Sequence, residues 1–361
     1  MRHEILATGI QCRDLDTSLR FYRDYSGMHT VDFADDAWWA AHREELETRL
    51  VPRLFGFTGH GRVRFRSQLI RANDTRDSFY ELFEWVHPRW VDDEPYTSSN
   101  HVGAYRSQTA VDDIDYLRRR HREFGARFVS EETPWWGSEY ASLPEPPHHE
   151  PSMLTIDPDG FRMQTRQVEG LPGEKTPFHP VRMIRHREIN VVDVEDSARF
   201  YHDVLGMHLA GTSHADPMPA FPTLAELAEG ADPALSKEYI DNLRHRELAE
   251  FFGFPAGITV DIRGTMMQCE GSAQKLDLFE WVNPKAYGRA YRALNHIGYQ
   301  RLTFTVPDID AVSRSARAWG AEIVSDVIDT PPLPLPGLDE TATKAMSLRD
   351  PNGVLLIVLG D

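Results

Sequence analysis

Residues 21–29, FYRDYSGMH, and residues 200–208, FYHDVLGMH, are two copies of one motif. Two further motifs repeat in the same order: LFEWVHP at 82–88 returns as LFEWVNP at 278–284, and NHVG at 100–103 returns as NHIG at 295–298. Repeats in one order across most of the chain indicate the duplication of a whole domain. Where the copies differ, one copy can have kept a chemical function that the other has lost.

Composition and charge limit the classes of function. The 361 residues are enough for two domains with complete cores. The net charge of −17 argues against nucleic acid or an anionic membrane as a partner, because both repel an acidic surface. Cys12 and Cys269 provide neither a disulfide framework nor a thiolate metal site. With no signal peptide or membrane-spanning stretch recognisable, we expect a cytoplasmic protein that acts on a small molecule.

Each copy divides again into two units, in which a strand leads into a helix and then into several strands. The strand of each unit ends at an aspartate suited to cap the following helix, and these are Asp14, Asp113, Asp193 and Asp308. The second and fourth units also share hairpin-turn sequences at 157–160 and 350–353.

The best linker between the two copies is the segment 171–177. We therefore predict a first domain over residues 1–172, with modules of about 1–95 and 96–172. The second domain covers 181–361, with modules of about 181–290 and 291–361. Insertions with helical periodicity at about 37–57 and 224–254 indicate either packing helices over the mouth of a sheet or a lid that closes on a ligand.

The four units resemble the vicinal oxygen chelate superfamily, which includes glyoxalase I, bleomycin-resistance proteins, methylmalonyl-CoA epimerase and extradiol dioxygenases. The resemblance covers essentially the whole chain and rests on the segments 14–22, 26–28, 81–84, 295–301 and 306–310 together with the two hairpin turns. It implies an α+β fold of four βαβββ modules that form two paired, cup-shaped mixed sheets. It also implies one divalent metal (Zn, Mn, Ni, Co or Fe) and no nucleotide cofactor.

In that superfamily, side chains from the first and last strands of paired modules hold the metal in the cup. The first-strand position falls on Ala7, Arg106, His186 and Arg301, and the last-strand position on Glu81, Gln164, Asp277 and Ile357. Neither cup has a complete ligand set if adjacent modules pair. Crosswise pairing would instead bring His186, Asp277 and Gln164 together beside Arg106. With adjacent pairing, Glu188 is the candidate third ligand, because it shares a strand face with His186.

An opposing interpretation is that Arg106 and Arg301 replace the charge of the metal. Each guanidinium would then satisfy a buried carboxylate, Glu81 or Asp277, or bind an anionic group of the substrate. Strand alternation places Glu84 and Glu280 on the opposite face, where salt bridges are expected, and His101 and His296 in loops. Trp135, Trp136, Tyr140 and the histidines at 148–149 would line a pocket or belong to a surface loop.

The leading hypothesis is an enzyme that transfers a proton next to a carbonyl group, such as an epimerase, isomerase or lyase. Glu81 or Asp277 would be the catalytic base, His186, Asp277 and Gln164 the metal ligands, and Arg106 or Arg301 the substrate-binding residues. An extradiol dioxygenase is the second hypothesis, although its triad of two histidines and a glutamate is met at one position of three. A metal-free binding or resistance protein is the third. The oligomeric state stays open, a homodimer included.

Overall fold

A computed structural model gives the structure of most of the chain. It describes residues 1–57, 59, 61–72, 79–92, 96, 98–135, 150–168, 171, 180–210, 241–245, 248–272, 274–293, 295–336 and 340–361. Of the predicted linker, only Leu171 lies within these residues, and the segment 136–149 with its aromatic and histidine residues lies outside them. None of the described helices is long and apolar enough to cross a membrane.

The strands and helices follow the predicted order in all four modules. The strands of the first copy are β1 Glu4–Cys12, β2 His29–Val31, β3 Arg64–Arg71, β4 Phe79–His87, β5 Gly103–Val111, β6 Arg127–Trp135, β7 Glu150–Ile156 and β8 Arg162–Gln167. Those of the second copy are β9 Val181–Val191, β10 His208–Leu209, β11 Asp241–His245, β12 Val260–Gln268, β13 Lys275–Asn283, β14 Gly298–Thr305, β15 Ile323–Pro334, β16 Thr341–Arg349 and β17 Leu355–Gly360.

The described helices are α1 Leu15–Leu19, α2 Asp36–Glu45, α3 Val51–Leu54, α4 Ile114–Phe124, α5 Val194–Leu205, α6 Leu248–Phe251 and α7 Ile309–Trp319. Four of them, α1, α4, α5 and α7, begin where the aspartates predict. α1 continues into a π-helical turn at Arg20–Tyr25, and a second such turn at Leu46–Leu50 joins α2 to α3. The predicted insertion at 37–57 is therefore helical, while most of the second insertion lies outside the described residues.

The modules pair crosswise, and not with their neighbours in the chain. The first sheet has the strand order β15-β16-β17-β14-β1-β4-β3-β2, so it joins the first module to the fourth. The second sheet has the order β10-β12-β13-β9-β5-β8-β7-β6, with β11 also paired to β12, and joins the second module to the third. The boundary between 1–172 and 181–361 thus separates the sequence copies, whereas each sheet takes one module from each copy.

Antiparallel strand pairs at the centre of each sheet hold the paired modules together. β1 pairs with β14, with Gly9 opposite Arg301, and β5 pairs with β9, with Arg106 opposite Glu188. The largest apolar cluster combines residues of both sheets with α1, α4, α5 and α7. A second cluster fills the first cup beneath α2 and α3, and a smaller one lies against the second sheet around Phe252 and Phe279.

Candidate functional site

Strand register aligns two rows of polar side chains across the centre of the second sheet. One row contains Lys275, His186, Gln108 and Gln164, and the other contains Asp277, Glu188, Arg106 and Arg162. Because residues two apart on a strand point to the same side, both rows lie on one face of the sheet. This face is the inside of the second cup.

Three of these side chains form a compact cluster with the ligand types that a metal needs. His186 Nε2 lies 3.3 Å from Glu188 Oε1 and 3.9 Å from Asp277 Oδ2. The ligand atoms of all three residues lie within 4.8 Å of one another, and all three residues are buried. Among the described residues this is the one such group. One imidazole and two carboxylates are a suitable donor set for a divalent cation.

The protonation state of His186 suits a metal ligand. Burial lowers the pKa of His186 to about 4, although the neighbouring Glu188 opposes this shift. The imidazole is therefore neutral at pH 7, and a neutral imidazole is the form that binds metals.

Gln164 adds a buried amide to the same face. The side chain is fully buried, and neither its oxygen nor its nitrogen has a hydrogen-bond partner among the described residues. Gln108, which pairs with it in the strand register, likewise has an amide oxygen without such a partner. An unsatisfied buried polar group costs about 1–3 kcal/mol, and coordination to a cation would remove that cost for an amide oxygen. The side chains present therefore fit a divalent metal.

Arg106, which was expected to bind substrate, is ion-paired to Glu188. Its side chain is fully buried, and its guanidinium carbon lies 4.7 Å from the ring centre of Phe252 and 4.9 Å from that of Phe279. Glu188 thus presents one oxygen to Arg106 and the other to His186. Arg106 fixes this carboxylate instead of standing free in the cup.

The first cup has the same framework with different chemistry. Ala7 stands where the second cup has His186, and Ile357 stands where it has Gln164. Glu81 Oε2 lies 2.8 Å from Arg301 Nη2. The Arg301 guanidinium carbon lies 5.0 Å from the ring centre of Phe55 and 4.9 Å from that of Phe83. In this cup the positive charge beside the carboxylate is that of an arginine.

A glycine explains why the two arginines pair with carboxylates at different positions. Gly9 faces Arg301 across the strand pair at the position where Glu188 faces Arg106. A Cβ atom at Gly9 would lie 2.5 Å from Cγ and 2.7 Å from Cζ of Arg301. Arg301 therefore lies close against the backbone of β1, with no side chain at this position to pair with, and its guanidinium extends to Glu81.

The structure brings some of the predicted site residues together and separates others. His186, Asp277, Gln164 and Arg106 share the second cup, whereas Glu81 and Arg301 share the first. Gln108 and the two phenylalanines that flank Arg106 were not predicted from the sequence. Strand alternation from Arg106 and the repeated FGF motif at 55–57 and 252–254 were the available signals.

The residues assigned to the outside of the cups are found there. Glu84 pairs with Arg66 at 3.1 Å, and Glu280 pairs with Arg263 at 2.9 Å. Each carboxylate also accepts a hydrogen bond from the backbone at the start of a helix, from Leu15 or Val194. His101 and His296 lie in the loops before β5 and β14, each as an isolated bridge residue. Their ring contacts are with tyrosines.

The sequence and the fold were compared with known proteins. Residues 183–358 match the family model described as the Glyoxalase/Bleomycin resistance protein/Dioxygenase superfamily. This match covers the third and fourth modules, and the first two repeat their motifs. The third and fourth modules therefore belong to this superfamily, which is the vicinal oxygen chelate superfamily that the motifs indicated. A search of the curated proteins finds no significant match to this sequence.

Solved structures of similar fold include glyoxalase I from Zea mays. That structure is 17% identical in sequence and has a TM-score of 0.56, with 99% of this chain and 92% of that chain covered. Two point mutants of the same enzyme give TM-scores of 0.57 and 0.54 at 16% and 18% identity, with 99% of this chain and 92% and 94% of theirs covered. At this level of identity the likeness establishes the fold of two paired cups.

Proposed function

We propose that the second cup is the active site of a metal-dependent enzyme that transfers a proton next to a carbonyl group of a small molecule. An epimerase, an isomerase or a lyase performs such a step. The observation that carries this proposal is the buried cluster of His186, Glu188 and Asp277, with ligand atoms within 4.8 Å of one another. The proposed metal ligands are these three residues together with Gln164.

A divalent metal at this position, such as Zn, Mn, Ni, Co or Fe, would polarise the carbonyl oxygen of a substrate and stabilise the negative charge that develops there. The protein supplies the surroundings that make this effect strong. The cluster is buried beside Phe279 and close to Phe252, so water is largely excluded and electrostatic interactions are weakly screened.

Of the two carboxylates in the cluster, Asp277 is the better candidate for the proton acceptor. Glu188 is ion-paired to Arg106, and an adjacent positive charge stabilises the ionised form and weakens a carboxylate as a base. Both oxygens of Glu188 are also engaged, one by Arg106 and the other by His186. We therefore assign Arg106 to holding Glu188 in place, and Asp277 Oδ2, 3.9 Å from His186 Nε2, to accepting the proton.

The donor set favours this function over ring cleavage by a dioxygenase. The facial triad of non-haem iron oxygenases consists of two histidines and one carboxylate. The cluster in the second cup has one histidine and two carboxylates, and Arg106 occupies a position where a second histidine would stand.

Metal analysis of the purified protein tests the site directly. We expect about one equivalent of a divalent metal by inductively coupled plasma mass spectrometry, and its loss in His186→Ala. His202→Ala is the matched control, because His202 is partly exposed and contacts Asp203 outside the cup. A metal content that is the same in wild type and in His186→Ala would refute the site, as would a metal-free wild type that is active.

Proton exchange tests the chemistry without knowledge of the natural substrate. Hydroxyacetone, dihydroxyacetone and 2-hydroxyacetophenone carry an exchangeable proton next to a carbonyl and a neighbouring oxygen. We expect the metal-loaded protein to catalyse their deuterium incorporation in D2O, followed by NMR. Asp277→Asn should reduce the rate by about 100-fold or more. An unchanged rate in a variant that still binds metal would remove Asp277 from this role.

A further inference from the structure

We infer that the first cup is a second, metal-independent binding site, for a small neutral ring compound that carries a hydroxyl group. Three observations support it: a cavity, the carboxylate–arginine pair in its wall, and the charge balance of the cup. It does not depend on a metal in the second cup. The two sites can therefore be tested separately.

The first cup contains a cavity of about 180 Å³ whose lining is mainly apolar. It lies between the floor of the first sheet and the helices α2 and α3. The ring side chains in its wall come from both sides. Phe65 and Phe83 belong to strands of the sheet, whereas Phe55 follows α3 and Trp39 belongs to α2. An apolar cavity of about 150 Å³ holds one benzene ring, so this cavity has room for a single substituted ring.

The Glu81–Arg301 pair gives this apolar cavity a specific polar contact. Both residues line the cavity, and Nη2 of Arg301 pairs with Oε2 of Glu81. The Arg301 side chain is only 1% exposed, whereas that of Glu81 is 24% exposed, so the carboxylate is the part of the pair that a ligand can reach. A hydroxyl group on a ligand can donate a hydrogen bond to this carboxylate. The cavity therefore has a preferred position for a hydroxyl oxygen atom.

The charge of the cup selects a neutral ligand. Glu81 and Arg301 form a pair with no net charge, and Asp32, the other charged residue of the lining, is exposed to solvent, so a charged ligand would lose its hydration without gaining a buried, free counter-charge. A carboxylate would also be repelled by Glu81, which lines the same cavity. A phenolic hydroxyl matches this lining, because its proton can be donated to Glu81 while its ring packs against the apolar wall. Phenols are accordingly the probe of choice.

The cover over this cavity is attached to the partner module. Trp38 Nε1 donates to the carbonyl of Pro332 at 3.0 Å, and Arg49 Nη2 donates to the carbonyl of Asp329 at 3.0 Å. Both carbonyls belong to β15 of the fourth module. The two contacts hold α2 and the turn that follows it over the cavity.

Calorimetric titration with phenol and 4-methylphenol tests the inference. We expect one site per chain in wild type, whether or not the protein contains metal, and no detectable binding of benzoate. Ala7→Leu places three more carbon atoms in the cavity and should weaken phenol binding at least tenfold. Ala40→Leu is the matched control, because it makes the same change at an exposed position of α2 that does not line the cavity.

Three results would overturn the inference. The first is no binding of phenol to wild type, the second is equal affinity in Ala7→Leu, and the third is tighter binding of benzoate than of phenol. A loss in Ala40→Leu as large as in Ala7→Leu would also count against it. If Ala7→Leu fails to fold, the titrations of wild type with phenol and with benzoate decide the question. NMR contacts between phenol and the methyl groups of Ala7, Leu46 or Val51 support the site, and contacts elsewhere contradict it.

Discussion

Two equivalent turns differ at a single buried position. Asp157 and Asp350 each accept hydrogen bonds from the backbone of their own turn and from a tyrosine, Tyr22 at 2.8 Å or Tyr201 at 3.0 Å. Two residues later the first turn has a second buried carboxylate, Asp159, whereas the other turn has Asn352. The first turn thus holds two buried carboxylates side by side.

This difference makes the first turn sensitive to pH. Burial raises the pKa of Asp157 well above its usual range, and the charge of Asp159 raises it further. Burial raises the pKa of Asp350 to about 6, although the hydrogen bonds from its turn and from Tyr201 oppose this shift. A carboxyl whose pKa is higher in the folded state stabilises the fold below its unfolded pKa of about 4 and loses this effect as the pH rises. The stabilisation from each carboxyl should therefore decline from pH 4 upward, and the decline should continue to a higher pH for Asp157 than for Asp350.

Asp159→Asn should stabilise the protein at pH 8. It removes the charge beside Asp157, and an amide can donate to Ser18 as Asn352 donates to Ser197 at 3.0 Å. We expect a gain of about 1 kcal/mol in the free energy of unfolding at pH 8 and little change at pH 4, measured by urea denaturation. The reverse change, Asn352→Asp, should destabilise at pH 8. A gain that is equal at both pH values would contradict the explanation.

At the level of single elements, the first helix of each module begins with the same kind of cap. Asp14, Asp113, Asp193 and Asp308 each have an extended backbone, and each side chain accepts a hydrogen bond from an N–H of the first turn. Asp193 accepts two, from Glu195 and Asp196, both at 2.9 Å. α4, α5 and α7 end at a glycine in the left-handed region, where a Cβ atom would be strained.

Removing one cap should destabilise the chain by a predictable amount. We expect Asp193→Ala to cost about 1 kcal/mol, because two N–H groups at the start of α5 lose their partner. Asp193→Asn, which keeps an acceptor oxygen, should cost only a few tenths of a kcal/mol. Urea denaturation at pH 7 compares both with wild type. Equal losses in the two variants would show that the negative charge, and not the hydrogen bonds, stabilises this helix start.

These local elements could be predicted because their signals lie within a few residues. The aspartate caps, the glycine at position 125 and the two hairpin turns are found where the sequence placed them. The π-helical turn at Arg20–Tyr25 was not predicted. It is a small departure from the α-helical pattern, and the sequence carried no signal for it that we recognised.

At the level of the whole molecule, crosswise pairing joins residues that are far apart in the chain. Glu4 pairs with Thr305, and Arg106 pairs with Glu188. Such contacts have no local signal, so the sequence left adjacent and crosswise pairing open. For the same reason the sequence did not determine which carboxylate each arginine contacts. That contact depends on whether Gly9 or Glu188 lies opposite the arginine on the neighbouring strand.

Crosswise pairing predicts how half of the chain should behave. Residues 181–361 alone contain the third and fourth modules, whose central strands would both lack their partners. Since these modules repeat the first and second, two copies of the half chain can pair the third module of one with the fourth of the other. We expect a dimer or a larger species by light scattering after size exclusion, with the full chain as the reference. A folded monomer of the half chain would contradict this expectation.

The crosswise arrangement is that of a symmetric dimer whose two subunits have become one polypeptide. In a homodimer both cups are encoded by the same codons, so every substitution appears in both at once. Fusion removes this constraint. A histidine can persist at position 186 while alanine occupies position 7, and an arginine can face glutamate in one cup and glycine in the other. Covalent linkage thus allows the two cups, which share one framework, to accumulate different substitutions.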